Sequence, residues 1–188
     1  MTDQKIILGF VGEIASGKDT SVDYLVAKHK ATQYKFSGML RDILKRLHLE
    51  VNRANMQKLS QTLRENFTQD ILSKVIAYDV ANDQNSIIVI NGIRRHSDVT
   101  YLKNLPNFYI IHISADIKIR YERIIKRHEN KDDQDKTFEQ FKKDHEAEAE
   151  LEIINISKEA KYTINNNGDF MALHKQLDDL LNIINSTT

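Results

Sequence analysis

Short apolar runs alternate with longer stretches in which apolar residues recur every three or four positions, and this alternation predicts strands interleaved with helices. Lys5 to Val11 predicts a first buried strand, Ser86 to Asn91 a second, Phe108 to Ser114 a third and Lys161 to Asn165 a fourth, with Gln33 to Phe36 as a weaker fifth. Between them, Met39, Ile43, Leu44 and Leu47 share one face of a segment that begins near Ser37. Leu59, Leu63, Phe67, Ile71, Val75 and Tyr78 form a longer stripe over residues 55–81, and Phe138, Phe141, Ala149, Ile153 and Ile156 another on a charged helix. These stripes are read as core packing. The expected architecture is α/β: a five-stranded parallel sheet with helices on both faces, in three layers. Pro106, the one proline, precedes a strand, where its missing N–H does little harm. No repeat or composition break marks a second domain, so residues 1–188 are expected to form one.

Composition narrows the function classes. The 27 basic and 27 acidic residues cancel, so no overall field gathers nucleic acid or anionic membrane, and neither is expected as a partner. The absence of cysteine removes disulfides, thiolate metal sites and cysteine nucleophiles. Ile6 to Val11 is too short for a membrane span and lacks a signal-peptide cleavage pattern after it, so a cytoplasmic location is expected.

The strongest chemical signal follows the first strand: Gly12-Glu13-Ile14-Ala15-Ser16-Gly17-Lys18-Asp19-Thr20. A loop of this kind wraps backbone N–H groups around phosphate oxygens, and glycines allow the close approach. The helix starting near Lys18 would point its N-terminus at the same anion, and Lys18 would reach the β- and γ-phosphates. Gly12, Ala15, Ser16, Gly17, Lys18, Asp19 and Thr20 are therefore the expected ATP-binding residues. The common pattern has Ser or Thr directly after the lysine to hold Mg²⁺; here Asp19 stands there and Thr20 follows, so both are candidate metal residues.

Displacing the hydroxyl by one place resembles the Gly-Lys-Gly-Thr loop of nucleoside monophosphate kinases, and Gly-Lys-Asp-Thr is similar to that of phage deoxynucleoside monophosphate kinases. Further along, Phe36-Ser37-Gly38-Met39-Leu40-Arg41 resembles the acceptor-site segment of adenylate kinases, which implies that Ser37 and Arg41 meet the acceptor phosphate. Asn91-Gly92-Ile93-Arg94-Arg95 is similar to the Asp-Gly-x-Pro-Arg segment of the same enzymes and to the Asp-Gly-x-Arg form of archaeal adenylate-kinase-related proteins. Either arginine fits the phosphate-contacting role, with Arg94 preferred as catalytic and Arg95 assigned to substrate. Asn91 departs from the family aspartate that helps order Mg²⁺, and Asp19 is the candidate to compensate.

Asp116 to Arg127 resembles the helix leading into the lid, whose arginines four apart close over the transferring phosphoryl group. Arg123 and Arg127 have that spacing, and Arg120, offset by three, is a further candidate to join them. The resemblance thus implies a short lid at about 128–137, an acceptor-binding helical region at about 37–81, and catalytic roles for Lys18, Arg94, Arg123 and Arg127. Arg64 falls within the helical region, where an acceptor-phosphate contact and a surface salt bridge are both open. Ala160 to Gly168 resembles the last strand and turn of dephospho-CoA kinases, which lies beside the ATP base and makes Asn166 and Asn167 weaker candidates. His112 is read as a core or edge residue, and His145 and Glu146 as solvated.

The resemblance implies a P-loop kinase using ATP and Mg²⁺ to phosphorylate a small phosphorylated acceptor, a nucleoside or deoxynucleoside monophosphate. Two alternatives stay open. One is a dephospho-CoA kinase-like enzyme, although Tyr34-Lys35-Phe36-Ser37 lacks that family's acidic pair. The other is a nucleotide-binding regulator with little turnover.

Overall fold

The computed structural model describes residues 5–127, 136–145 and 148–187. Its framework is a five-stranded sheet in the order β2-β3-β1-β4-β5, with every pairing parallel. The strands are β1 (Ile6–Val11), β2 (Thr32–Lys35), β3 (Ile87–Asn91), β4 (Phe108–Ser114) and β5 (Tyr162–Asn165). All of the expected strands form, each within a residue or so of its expected bounds.

β1 lies at the centre and is buried along its whole length, which is why it reads as continuous apolar sequence rather than an alternation. Its alternate side chains serve different layers. Ile6, Leu8 and Phe10 join a core with Val22 and Leu25 of α1 (Lys18–His29) and Leu173, Leu177, Leu180, Leu181 and Ile184 of α9 (Phe170–Thr187). Ile7 and Val11 face the other core, with α2 (Phe36–Arg46), α4 (Ile71–Asn82) and α8 (Glu148–Ser157). The result is the expected three-layer α/β fold. Each large apolar side chain so buried contributes about 1.5–3 kcal/mol.

The structure departs from the expected stripes at one place among the described residues. Residues 55–81 are not one helix but α3 (Arg53–Asn66) and α4, separated at Phe67–Asp70. Phe67 and Tyr78, counted in the apolar stripe, are 68% and 72% exposed, whereas Leu72, Ile76, Ala77 and Val80 form the buried face of α4. The break changes the phase of the helix, and a 3.6-residue period counted through it selects the wrong face. The stripe expected on a charged helix runs over α7 (Phe138–His145) and α8, with residues 146 and 147 between them outside the described residues; Phe141, Ile153 and Ile156 are buried.

In the remaining connections, α5 (His96–Val99) and a short 3-10 turn (Leu102–Asn104) follow β3, and α6 (Ile117–Arg127) follows β4. His112 sits between β1 and β5 in an interior strand, not at an edge. The polar interval expected as a lid lies outside the described residues except for Lys136 and Thr137, and so do Glu146 and the side chains of Arg127, His145 and Ala149. No described helix is long and apolar enough to cross a membrane.

Candidate functional site

Parallel strands bring all their C-terminal ends to one edge of the sheet, where open α/β folds place ligands. Gly12 to Gly17 occupies that edge, between β1 and α1. A Cβ on Gly12 would sit 2.4 Å from the Ile113 carbonyl oxygen and 2.7 Å from Ser16 Oγ, so only glycine fits beside β4. Gly17 has φ 101°, and Ala15 shares the left-handed region at φ 59°. A side chain on Gly17 would also meet Asn166 Nδ2 at 2.0 Å.

The outer side of this loop is tied down by two elements. From α6, Arg120 donates to the carbonyls of Ala115 (3.0 Å) and Ile14 (3.4 Å) and pairs with Glu13 Oε1 at 3.1 Å. Its guanidinium lies over the Phe141 ring, 5.7 Å from the centroid, and the residue is only 2% exposed. One turn on, Arg123 donates to Asn166 O at 2.7 Å and more distantly to Ala15 O and Ser16 O. Burial lowers the Arg123 pKa below the ordinary guanidinium value. From the turn between β5 and α9, Asn166 Nδ2 donates to Ser16 O at 2.7 Å.

This bracing has a stereochemical consequence. In a trans peptide the carbonyl of one residue and the N–H of the next point to opposite sides. With the carbonyls of Ile14 and Ser16 engaged outward, the N–H groups of Ala15 and Gly17 are turned to the inner side, with the first amides of α1. That is the donor arrangement of an anion cradle. Lys18 Nζ closes over it, donating to Gly12 O (2.5 Å) and Glu13 O (2.9 Å). Ser16 Oγ is wholly buried and has no hydrogen-bond partner in this state. The cradle, the lysine and the orphan hydroxyl together fit a phosphate chain.

Beside the cradle, Asn91 at the end of β3 donates from Nδ2 to Asp19 Oδ1 at 2.8 Å, and Lys35 Nζ lies 3.4 Å from the same oxygen. Asn91 is buried, whereas the Asp19 side chain is 74% exposed. Thr20 is half-buried on the first turn of α1. No group of three or more His, Cys, Asp or Glu among the described residues could hold a metal ion alone. The donor set instead suits Mg²⁺ carried on nucleotide phosphates, with a hydroxyl and a nearby carboxylate as its protein partners. His112 has its pKa lowered, chiefly because burial disfavours the imidazolium; nearby Glu13 opposes this and Lys18 adds to it.

The remaining expected residues gather beyond β3. Gly92 has φ 89°, and a Cβ there would lie 3.9 Å from the Phe36 backbone nitrogen, so the turn after β3 passes beside the start of α2. Ser37 and Arg41 on α2, and Arg94 and Arg95 on the turn, are all exposed. Arg64 is placed differently. It is buried, pairs with Asp98 Oδ1 at 2.7 Å, donates to Ser97 Oγ at 3.0 Å and also bonds Gln69 O. The salt bridge is real but internal, not superficial.

Sequence reasoning passed over Glu13 and Asp98. Asp98 had a readable signal: it stands three residues after Arg95, the spacing of a helix-capping acid. Glu13 had none, because its partner Arg120 is 107 positions away. Asn167, a weaker candidate, accepts from the Asp116 N–H at 2.8 Å and so joins the last turn to the start of α6.

Comparison with known proteins places this geometry. The chain is 26% identical to the UPF0200 protein of Hyperthermus butylicus over 86% of each chain. It is also 26% identical to a UPF0200 protein of Methanococcus maripaludis, over 95% of this chain and 97% of the relative. Among solved structures it resembles TT1252 from Thermus thermophilus (TM-score 0.64, 16% identity, covering 96% of this chain and 98% of that one). It also resembles shikimate kinase from Bacteroides thetaiotaomicron (TM-score 0.63, 12% identity, 95% and 98%). At these identities the likeness to the solved structures shows a shared fold. A family model described as an AAA domain matches residues 11–142, from the end of β1 through the phosphate loop and α6 into α7, and the chain belongs to that family.

Proposed function

We propose that this protein is an ATP-dependent phosphotransferase acting on a small phosphorylated acceptor, a nucleoside or deoxynucleoside monophosphate. One observation carries the reading. Gly92, after β3, lies beside Phe36 at the start of α2, so two arginine-bearing segments stand near one another at the sheet edge that also carries the phosphate cradle. A site that only held ATP would need the cradle alone; a second cluster of exposed cations suits a second anionic substrate.

In this reading Lys18 and the loop amides bind the β- and γ-phosphates, and Ser37, Arg41, Arg94 and Arg95 hold the acceptor. Thr20 and Asp19 orient Mg²⁺, which when bound would neutralise charge on the transferring phosphoryl group. Arg127, and Arg123 on exchanging its loop carbonyls, would complete the clamp from α6. Residues 1–188 act as one kinase domain, with an acceptor region at about 37–81 and a short lid at about 128–137 that excludes water. Arg64 supports the acceptor side from within.

The test is ADP formation from Mg-ATP against a panel of ribo- and deoxynucleoside monophosphates, dephospho-CoA and shikimate. Shikimate belongs in it because fold neighbours bear the name shikimate kinase. A rate that depends on one monophosphate establishes the activity and names the acceptor. A rate with dephospho-CoA or shikimate alone reassigns the acceptor class, and ATP binding without acceptor-dependent turnover removes the kinase.

The regulator reading keeps one specific support, the neutral Asn91 at the end of β3. Its hydrogen bond to Asp19 suggests that the missing charge is supplied from α1. Asp19→Ala should therefore lower Mg²⁺-dependent turnover by about 10–100-fold, as loss of a metal-orienting partner does. Turnover unchanged by that substitution would remove Asp19 as the group that compensates for Asn91, whereas a wild type without acceptor-dependent turnover would favour the regulator.

A further inference from the structure

Asp98 and Arg64 form a buried ion pair that the phosphate cradle does not touch. Their side chains are 4% and 7% exposed. Burying two charges costs several kcal/mol per ion, and apolar side chains of similar volume would commonly be as stable. What apolar side chains cannot do is direct hydrogen bonds. Asp98 uses one oxygen for Arg64 and the other for two consecutive backbone N–H groups, those of Arg94 (2.9 Å) and Arg95 (3.0 Å). Arg64, near the end of α3, also holds the Gln69 carbonyl between α3 and α4 and the Ser97 hydroxyl on α5. The Arg64 Nε has no partner, so the guanidinium is placed by its terminal nitrogens alone.

We propose that the Arg64–Asp98 pair is a positioning device for the acceptor phosphate, setting the direction in which Arg94 and Arg95 leave the turn and coupling that turn to α3. The inference rests on the reading of Arg94 and Arg95 as acceptor contacts. The carboxylate clamps adjacent amides, which fixes the backbone from which both guanidinium groups project into solvent. The other end of the pair is anchored in the helical acceptor region, so a shift of α3 is carried to the turn through charge-assisted bonds. Acceptor affinity should depend on the pair, and ATP affinity should not.

The experiment compares wild type with Asp98→Asn and Arg64→Lys, alone and combined with Arg94→Ala/Arg95→Ala. Asparagine presents an amide donor to either Arg64 or the backbone N–H groups, and lysine keeps charge without the fork. Expected is a rise in acceptor KM of about 10–100-fold for Asp98→Asn, the scale of a misplaced binding group. A smaller rise for Arg64→Lys, unchanged ATP affinity, and no further loss when Asp98→Asn is added to Arg94→Ala/Arg95→Ala should accompany it. Equal losses in ATP and acceptor affinity, or losses that multiply in the combined variant, overturn the inference. Should the panel yield no acceptor, the kinase reading fails separately. Titration of inorganic phosphate into protein loaded with a non-hydrolysable ATP analogue then decides the pair: binding that Asp98→Asn abolishes supports it, and binding that is absent from wild type or retained in the variant overturns it. Arg64→Lys keeps the test open if Asp98→Asn does not fold.

Discussion

Replacing Lys18 by alanine should lower acceptor-dependent ADP formation on the order of 10²–10³, the usual cost of removing a group that stabilises developing charge. The ammonium already lies over the cradle, held by Gly12 O and Glu13 O of the loop itself. Those carbonyls are replaceable partners, and phosphate oxygens entering the cradle would compete for the same protons. The fold does not rest on this side chain, because Arg120, Arg123 and Asn166 brace the loop from the other side. Thermal unfolding of Lys18→Ala should therefore stay close to wild type while turnover collapses. Lys18→Arg should not restore it, since a planar fork differs in reach and shape from a point charge. Turnover within tenfold of wild type in Lys18→Ala would remove the lysine from the reaction.

Arg120→Ala should have the largest effect on stability, a loss of about 3–5 kcal/mol, as expected when one partner of a buried ion pair is deleted. The guanidinium is almost fully enclosed, holds two carbonyls and Glu13, and packs over Phe141. Alanine would leave Glu13 without this partner and a hole beneath the loop. In a chain of this size the loss corresponds to a fall in melting temperature of roughly 6–20 °C. Arg120→Met separates packing from charge: it fills the space and should recover part of the melting temperature, yet leave ATP affinity low because Ile14 O is no longer held outward. A variant that unfolds like wild type and binds ATP normally would show that the bracing is dispensable. The loop's shape is thus predicted to depend on a residue that the lid-helix resemblance offered only as a further phosphate ligand.

Much of the molecule was legible along the chain. The strands were readable because in a buried parallel sheet both faces are apolar, and Ile6 to Val11 carries that signature without interruption. The loop between β1 and α1 was readable because its geometry is local: Gly12, Gly17 and Lys18 lie within a few residues of one another. The helical pattern was least secure where it crossed a break. The stripe through Phe67 and Tyr78 lost phase at Phe67–Asp70, and both rings emerged exposed.

The roles of the arginines divide along the same line. Arg41, Arg94 and Arg95 are exposed at positions where a local motif suggested them. Arg64 and Arg120 carry the same charge but are buried, each on a carboxylate distant in sequence: Asp98 is 34 positions from Arg64, and Glu13 is 107 from Arg120. Nothing in residue type separates the two groups. The sequence by itself determined the layers, the strand set and the phosphate cradle, because these follow from period and from short-range backbone geometry. Which cations face solvent and which hold the scaffold was decided only by the tertiary structure, because desolvating a charge is tolerable only where the fold delivers a partner to it.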